Sequence, residues 1–189
     1  MSVETLRNWK VDQEWTLFLD RDGVVNRRLP DEYVTKWAEF EFLPNTLAAL
    51  SRLAKQFGVI VIVTNQRGIG RGLMTETDLA DVHGKMLEAI RQSGGRIDGI
   101  YYCPHDHIAR CDCRKPAIGL ALRAKGEFPS IDFMRSIMVG DSASDMDFAQ
   151  NARLHKVWVG PVSEKACAAP DFRYSSLDEF SLCLENSNA

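Results

Sequence analysis

Short apolar runs along this chain alternate with stretches whose apolar residues recur at helical spacing. Trp15-Thr-Leu-Phe-Leu-Asp20 is the first strand signal, an apolar run that stops abruptly at a carboxylate. Residues 21–42 are irregular and rich in charge, which predicts a loop with small strand or helix pieces. Pro44 opens a helix with Leu47, Leu50, Leu53 and Ala54 on one face, and Gly58 ends it. Val59-Ile-Val-Ile-Val-Thr64 is nearly continuous β-branched residue, the pattern of a strand covered on both sides. Residues 65–73 are predicted as a glycine- and arginine-rich loop. Thr75 caps a helix running to about Gln92, with Glu76 and Asp78 well placed near its start. A short strand follows over Ile97–Tyr102, then a helix over Ile118–Lys125 and a strand over Ser136–Gly140. A helix over Ser144–Ala152, a strand over His155–Val159 and a helix around Leu177–Leu184 complete the pattern.

Strands alternating with helices predict an α/β fold, a Rossmann-like three-layer sandwich with a mostly parallel central sheet. The expected organisation is an N-terminal extension over residues 1–14 and a single domain over residues 15–185. In open parallel sheets ligands bind beyond the carboxyl ends of the strands. That rule selects Asp20, Thr64, the segment after Tyr102, and Asp141.

Composition narrows the functional classes. A formal net charge of -3 gives no electrostatic reason to expect a nucleic-acid or anionic-membrane partner. Residues 1–14 lack the apolar core of a signal peptide, and no apolar run approaches the length that spans a bilayer. The expectation is a soluble cytoplasmic protein. Three of the five cysteines fall between residues 103 and 113, with Cys167 and Cys183 far downstream. An odd count without a signal argues against a disulfide framework, and the cluster is better read as a metal site.

At the selected strand ends, Asp20-Arg-Asp22-Gly23 places two carboxylates two positions apart before a glycine, which suits a sharp turn. An EF-hand does not fit, since its third acid and its glutamate at loop position twelve are missing. Thr64-Asn65-Gln66 offers a hydroxyl and backbone donors for phosphate oxygens. Asp141 and Asp145 can serve a hard cation such as magnesium, although Asp145 is also placed to cap the following helix. Arg114-Lys115-Pro116 supplies fixed positive charge. Taken singly, each has an ordinary reading as a turn, a cap or a solvated basic pair. Gly68-Ile-Gly-Arg-Gly72 is not a dinucleotide fingerprint, because it lacks the spacing and the later acid.

In order and placement, Asp20-x-Asp22-Gly23, Thr64, Lys115 and Gly140-Asp141 with Asp145 resemble the four motifs of the haloacid dehalogenase superfamily of phosphotransferases, over about residues 15–160. The resemblance implies its fold, without a large cap domain, and a magnesium-dependent phosphatase acting through an aspartyl-phosphate. It implies Asp20 as nucleophile and Asp22 as general acid and base. Asp20, the Asp22 carbonyl and Asp141 would hold magnesium, Thr64 and Lys115 the transferring oxygens, and Asp145 would orient the metal shell or Lys115.

Cys103-Pro-His105-Asp-His107 followed by Cys111-Asp-Cys113 can make a closed Cys₃His zinc site from Cys103, His105, Cys111 and Cys113, with His107 as a competitor for His105. This loop, running into Arg-Lys-Pro, looks like the branch containing D-glycero-D-manno-heptose 1,7-bisphosphate phosphatase and histidinol-phosphate phosphatase, in which zinc is structural. The segments Asn65-Gln66-x-Gly68-Ile69-x-Arg71-Gly72 and Asp98–Cys103 look more like the heptose enzyme; the five-residue gap between His105 and Cys111 looks more like the histidinol enzyme. Arg67 stands where the heptose enzymes usually have a small residue, and Asp106-His107 replaces their usual His-Pro. The favoured substrate is a small phosphorylated metabolite, heptose bisphosphate or a related sugar phosphate. That would place the protein in carbohydrate metabolism, supplying lipopolysaccharide precursors. Asn65, Gln66, Arg71 and Arg114 would contact substrate, with Arg114 on a remote phosphate. The expected state is a monomer. A histidinol-phosphate phosphatase is the nearest alternative, and a zinc-stabilised binding module without catalysis is the alternative from another class. The module reading would expect a lost catalytic carboxylate, and Asp20, Asp22 and Asp141 are all present.

Overall fold

Alternation along the strands divides the interior into two layers. In the computed structural model, residues 8–29, 32–161 and 168–188 are described. Cys167 and residues 1–7 of the expected extension lie outside them. Chain order is β1 (Thr16–Leu19), α1 (Thr46–Leu53), β2 (Val59–Asn65), α2 (Arg67–Gly70), α3 (Glu76–Gln92), β3 (Gly99–Cys103), α4 (Gly119–Glu127), β4 (Ser136–Gly140), α5 (Ala143–Ala152), β5 (His155–Val159), β6 (Phe172–Tyr174) and α6 (Leu177–Asn188). Leu17, Leu19, Ile60, Ile62, Ile137 and Val139 pack on one face of the sheet, against Leu50 and Leu53 of α1, Met86 and Ile90 of α3 and Phe180 and Leu184 of α6. Phe18, Val61, Val63 and Met138 pack on the other, against Leu120 and Ala124 of α4 and Phe148 and Ala149 of α5. Apolar residues on both faces are what a sheet covered on both sides requires.

All six strands are parallel, in the order β3-β2-β1-β4-β5-β6. The order reverses at β1 and β4, so the crevice beyond their carboxyl ends is the switch point where such sheets bind ligands. Register sets what meets there. Leu19 lies opposite both Ile62 and Val139, and the Asp20 amide donates to the Val139 carbonyl at 3.0 Å. Asp20 and Asp141 are thereby brought side by side from positions distant in sequence.

Several expectations need correction. α1 begins at Thr46 and not at Pro44, because Asn45 adopts a left-handed backbone with φ 59°. The expected loop over residues 65–73 contains the one-turn helix α2. Strand β6 is new, a three-residue edge parallel to β5. Residues 8–14 are part of the packed body: Val11 is buried, and Trp9 packs on Trp15, His155 and Phe172. The cap of α3 is as the sequence suggested, with Thr75 accepting from the Asp78 amide and Asp78 accepting from the Thr75 amide. Among the described residues no helix is long and apolar enough to cross a membrane.

Candidate active site

The turn after β1 is built to aim two carboxylates. The Arg21 carbonyl accepts the amides of Val25 at 2.8 Å and Asn26 at 3.1 Å, curling the chain back on itself. Gly23 sits in this curl at φ +96°, and a Cβ there would lie 1.8 Å from Asp141 Oδ2. Only glycine satisfies both the conformation and the approach.

Asp20 is buried, and its Oδ1 accepts the Arg21 amide at 2.8 Å and pairs with Lys115 Nζ at 2.8 Å. Lys115 is also buried. Its ammonium donates to Asp145 Oδ1 at 2.6 Å and to the Val63 carbonyl at 2.8 Å, so its three donors converge on three acceptors. Asp145 Oδ2 accepts the Ser142 amide at 3.1 Å and so also caps α5. One carboxylate thus both holds Lys115 and caps α5. Burial and then repulsion from Asp145 push Asp20 up to about 6, against the pull of Lys115. Burial and then Asp20 push Asp141 up to about 8, with Arg28 opposing.

Asp22 lives in a different environment two residues away. Its Oδ1 accepts from Arg21 Nη2 at 2.9 Å and Asn26 Nδ2 at 3.0 Å, and its Oδ2 from Gln66 Nε2 at 2.9 Å. Burial alone would raise its pKa, but the charge and hydrogen bond of Arg21, helped by Asn26 and Gln66, hold it below the ordinary carboxylate value. Gln66 also donates to Thr64 Oγ1 at 2.8 Å. Expected to touch substrate, Gln66 is instead buried beneath the site and committed to Asp22 and Thr64. Asn65 brackets the Lys115 backbone, accepting its amide at 3.0 Å and donating to its carbonyl at 3.3 Å.

A cavity of about 510 Å³ opens over these groups. Its floor includes Asp20, Asp22, Thr64 and Lys115, and Arg28, Arg67, Arg71 and Arg114 stand around its wall with Glu32. Oxygen donors suited to a hard cation meet beside the floor: the carboxylates of Asp20 and Asp141 and the Asp22 carbonyl. A cationic group already lies among them. The Arg28 guanidinium is 2.6 Å from Asp141 Oδ1, 3.0 Å from the Asp22 carbonyl oxygen and 3.7 Å from Asp20 Oδ2. A divalent cation fits this donor set, since the set gathers positive charge and offers oxygen alone.

Behind the rim, ligand atoms of Cys103, His105, Cys111 and Cys113 all lie within 4.8 Å of one another. The Cys103–Cys113 and Cys103–Cys111 sulfur pairs are 3.0 and 3.5 Å apart, and His105 Nδ1 is 3.2 Å from Cys113 and 3.7 Å from Cys103. A tetrahedral zinc with sulfur bonds of about 2.3 Å has ligand edges of roughly 3.8 Å, close to this spacing. His107 is exposed and beside Asp106, outside the cluster. The rim and this loop are joined, because Gly70 of α2 donates to the Pro104 carbonyl at 2.8 Å and Arg67 Nε donates to Asp106 Oδ2 at 3.0 Å.

Three contributors were not found by sequence reasoning. Arg28 sits in an irregular segment where a charge carries no pattern. Arg21 looked like a spacer between two acids, yet it is 1% exposed. His83 lies in the apolar stripe of α3 with Leu79, Val82 and Met86, and its Nε2 is 3.1 Å from Arg21 Nη1. Burial and then the Arg21 charge push its pKa down to about 3. A lone histidine within an apolar stripe was the signal that could have found it.

Known proteins resemble this chain in sequence and in fold. The family described as polynucleotide kinase 3 phosphatase matches residues 11–176. A D-glycero-alpha-D-manno-heptose-1,7-bisphosphate 7-phosphatase of Mycobacterium tuberculosis is 39% identical over 180 residues, 93% of this chain and 94% of that one. A D-glycero-beta-D-manno-heptose-1,7-bisphosphate 7-phosphatase of Photorhabdus laumondii is 38% identical over 85% of this chain and 90% of its own. The crystal structure of D,D-heptose 1,7-bisphosphate phosphatase from B. bronchiseptica, complexed with magnesium and phosphate, superposes with a TM-score of 0.79 at 30% identity, covering 91% of this chain and 98% of that one. A HAD-like phosphatase of Mesorhizobium loti follows at 0.76 and 29% identity, covering 94% and 89%. With two-carboxylate, threonine, lysine and acidic strand ends in the same crevice, this chain belongs to the haloacid dehalogenase superfamily of phosphatases, in the family described as polynucleotide kinase 3 phosphatase.

Proposed function

We propose that this chain is a D-glycero-D-manno-heptose 1,7-bisphosphate phosphatase of the cytoplasm. The observation that carries this reading is the pairing of the Asp20–Asp22 floor with a wall of arginines within one cavity. A sugar bisphosphate presents one phosphate to the floor and a second dianion to the wall, where Arg71, and Arg114 beyond its one long contact of 3.5 Å to the His105 carbonyl, can meet it as charge-assisted donors. Histidinol phosphate would bring an ammonium group against the same guanidinium groups.

In the proposed reaction an Asp20 carboxylate oxygen attacks phosphorus in line, and the bond from phosphorus to the sugar oxygen breaks. Asp22, ionised beside Arg21 in the free protein, takes up a proton when the anionic substrate binds above it and gives that proton to the leaving oxygen. A water then loses a proton to Asp22 and attacks the same phosphorus, breaking the Asp20 ester and releasing phosphate. Thr64 donates its hydroxyl to a transferring oxygen, and Lys115, fixed by its 2.6 Å contact with Asp145, lends its positive charge beside the transferring oxygens. Asp20, Asp141 and the Asp22 carbonyl would hold magnesium, which when bound offsets repulsion between anionic nucleophile and anionic substrate. Cys103, His105, Cys111 and Cys113 would hold a structural zinc that shapes the loop leading to Arg114 and Lys115. We read residues 15–185 as one monomeric catalytic unit, with residues 8–14 packed against it.

Initial rates with heptose 1,7-bisphosphate and histidinol phosphate at saturating magnesium test the substrate. A higher kcat/KM for the bisphosphate is expected, reduced about 10–100-fold by Arg114→Ala through lost charge-assisted contacts. A clear preference for histidinol phosphate overturns this choice.

A further inference from the structure

We propose that His83 and Arg21 are positioning residues for Asp22, forming a buried brace from α3 to the carboxylate that donates the proton. This rests on the reading of Asp22 as general acid. A guanidinium has only donors, so the 3.1 Å contact between Arg21 Nη1 and His83 Nε2 requires the imidazole nitrogen to accept. The ring proton is then on Nδ1, and His83 is neutral. The other arm of the same guanidinium donates to Asp22 Oδ1 at 2.9 Å. Arg21 therefore spans from a side chain fixed in a 17-residue helix to one at the reacting centre.

Nothing about the fold alone calls for this arrangement. Arg21 is 1% exposed, and its Nε has no hydrogen-bond partner among the described residues. Burying a guanidinium is expensive, and an apolar side chain would commonly fill such a position at least as stably. What the guanidinium supplies is direction. A general acid must hold its proton on one oxygen, aimed at one place. Asp22 Oδ1 already accepts twice, from Arg21 and Asn26, whereas Oδ2 accepts once, from Gln66. A carboxylate oxygen has about two acceptor sites, so Oδ2 is the atom left to carry the transferable proton. His83 keeps it so, by stopping Arg21 from swinging away from Oδ1.

The test exploits leaving groups. kcat/KM reports events up to departure of the alcohol, and a sugar alkoxide needs a proton to leave whereas p-nitrophenolate does not. His83→Ala is expected to lower kcat/KM for heptose 1,7-bisphosphate about tenfold, a part of what a general acid supplies, and for p-nitrophenyl phosphate less than about twofold. His83→Gln, which keeps an acceptor near the Nε2 position, is expected to restore most of the loss. An equal fall on both substrates, or no rescue by glutamine, overturns the brace. Should His83→Ala not fold, Arg21→Lys gives the same reading, since lysine keeps the charge but cannot bridge both partners. Asp22→Asn is measured alongside. If it too lowers both substrates equally, the proton-donor reading itself falls; if it discriminates and the His83 variants do not, only the brace falls.

Discussion

Arg28 Nη2 donates to Asp141 Oδ1 at 2.6 Å, and the same guanidinium reaches the Asp22 carbonyl oxygen at 3.0 Å. Those oxygens are the ones proposed for magnesium, so Arg28 and the ion compete for one place. Removing the competitor should strengthen metal binding. Arg28 is 49% exposed, which limits the effect to roughly two- to tenfold. Titration calorimetry of metal-free protein should show tighter magnesium binding by Arg28→Ala. Unchanged or weaker binding would mean that Arg28 does not contest the seat.

The two carboxylates of the first turn should respond oppositely to neutralisation. Asp20→Asn and Asp22→Asn are both expected to abolish most turnover. Asp20 is buried and then crowded by Asp145, and its raised pKa marks an ionised form that strains the metal-free fold. Asn at that position should leave the melting temperature of the metal-free protein equal or higher. Asp22 is the anionic partner of buried Arg21, and its ionised form stabilises the fold. Asp22→Asn should lower melting by on the order of 5–10 °C, as expected when a buried charge loses its counterion in a chain of this size. Calorimetric scans of both variants check the signs, and ordinary phosphatase rates in either folded variant would sink the assigned roles.

Lys115 invites a similar argument from three acceptors. Lys115→Met leaves Asp20 and Asp145 without their shared cation, at a cost of about 3 kcal/mol, limited because the acids can take up protons. Lys115→Arg should not rescue turnover, because a planar fork does not match acceptors that converge on a single ammonium. Combining Lys115→Met with Asp145→Asn should recover part of the stability and none of the activity. Urea unfolding and steady-state rates separate the two effects.

Much of this site was legible because parallel sheets deliver their strand ends to one crevice. Ser136–Gly140 and His155–Val159 were legible to the residue, since in each an apolar triplet, Ile137–Val139 or Val157–Val159, follows polar residues and stops at a glycine. Asp20, Thr64 and Asp141 followed from where such runs stop. Strand β6 was not legible: three residues show no period, and pairing with β5 is what makes them a strand. Neither were the contacts of Asp22, because Gln66 reaches it from the end of β2, and Arg21 is held between it and His83 of α3, only after these elements assemble.

Arg67 and Asp106 show the same limit and carry the last prediction. Each was visible as a departure from the heptose enzymes, at positions 39 apart, and the fold joins them at 3.0 Å. One side is α2 at the cavity rim, the other the segment between His105 and Cys111. A zinc loop this poor in apolar residues depends on its ion for order, and the ion pair ties that ordered loop to the wall bearing Arg71. The protein as purified should carry zinc that mild chelation does not remove, and elemental analysis finding none would count against the four-ligand site. Arg67→Ala should speed zinc loss to a strong chelator by roughly two- to fivefold, the range for a partly exposed pair. Asp106→Ala should do the same. Because both remove one contact, the double variant should lose zinc hardly faster than either single one. Independent, multiplying effects in that cycle would show that the two residues act separately and that the rim and the zinc loop are not coupled through them.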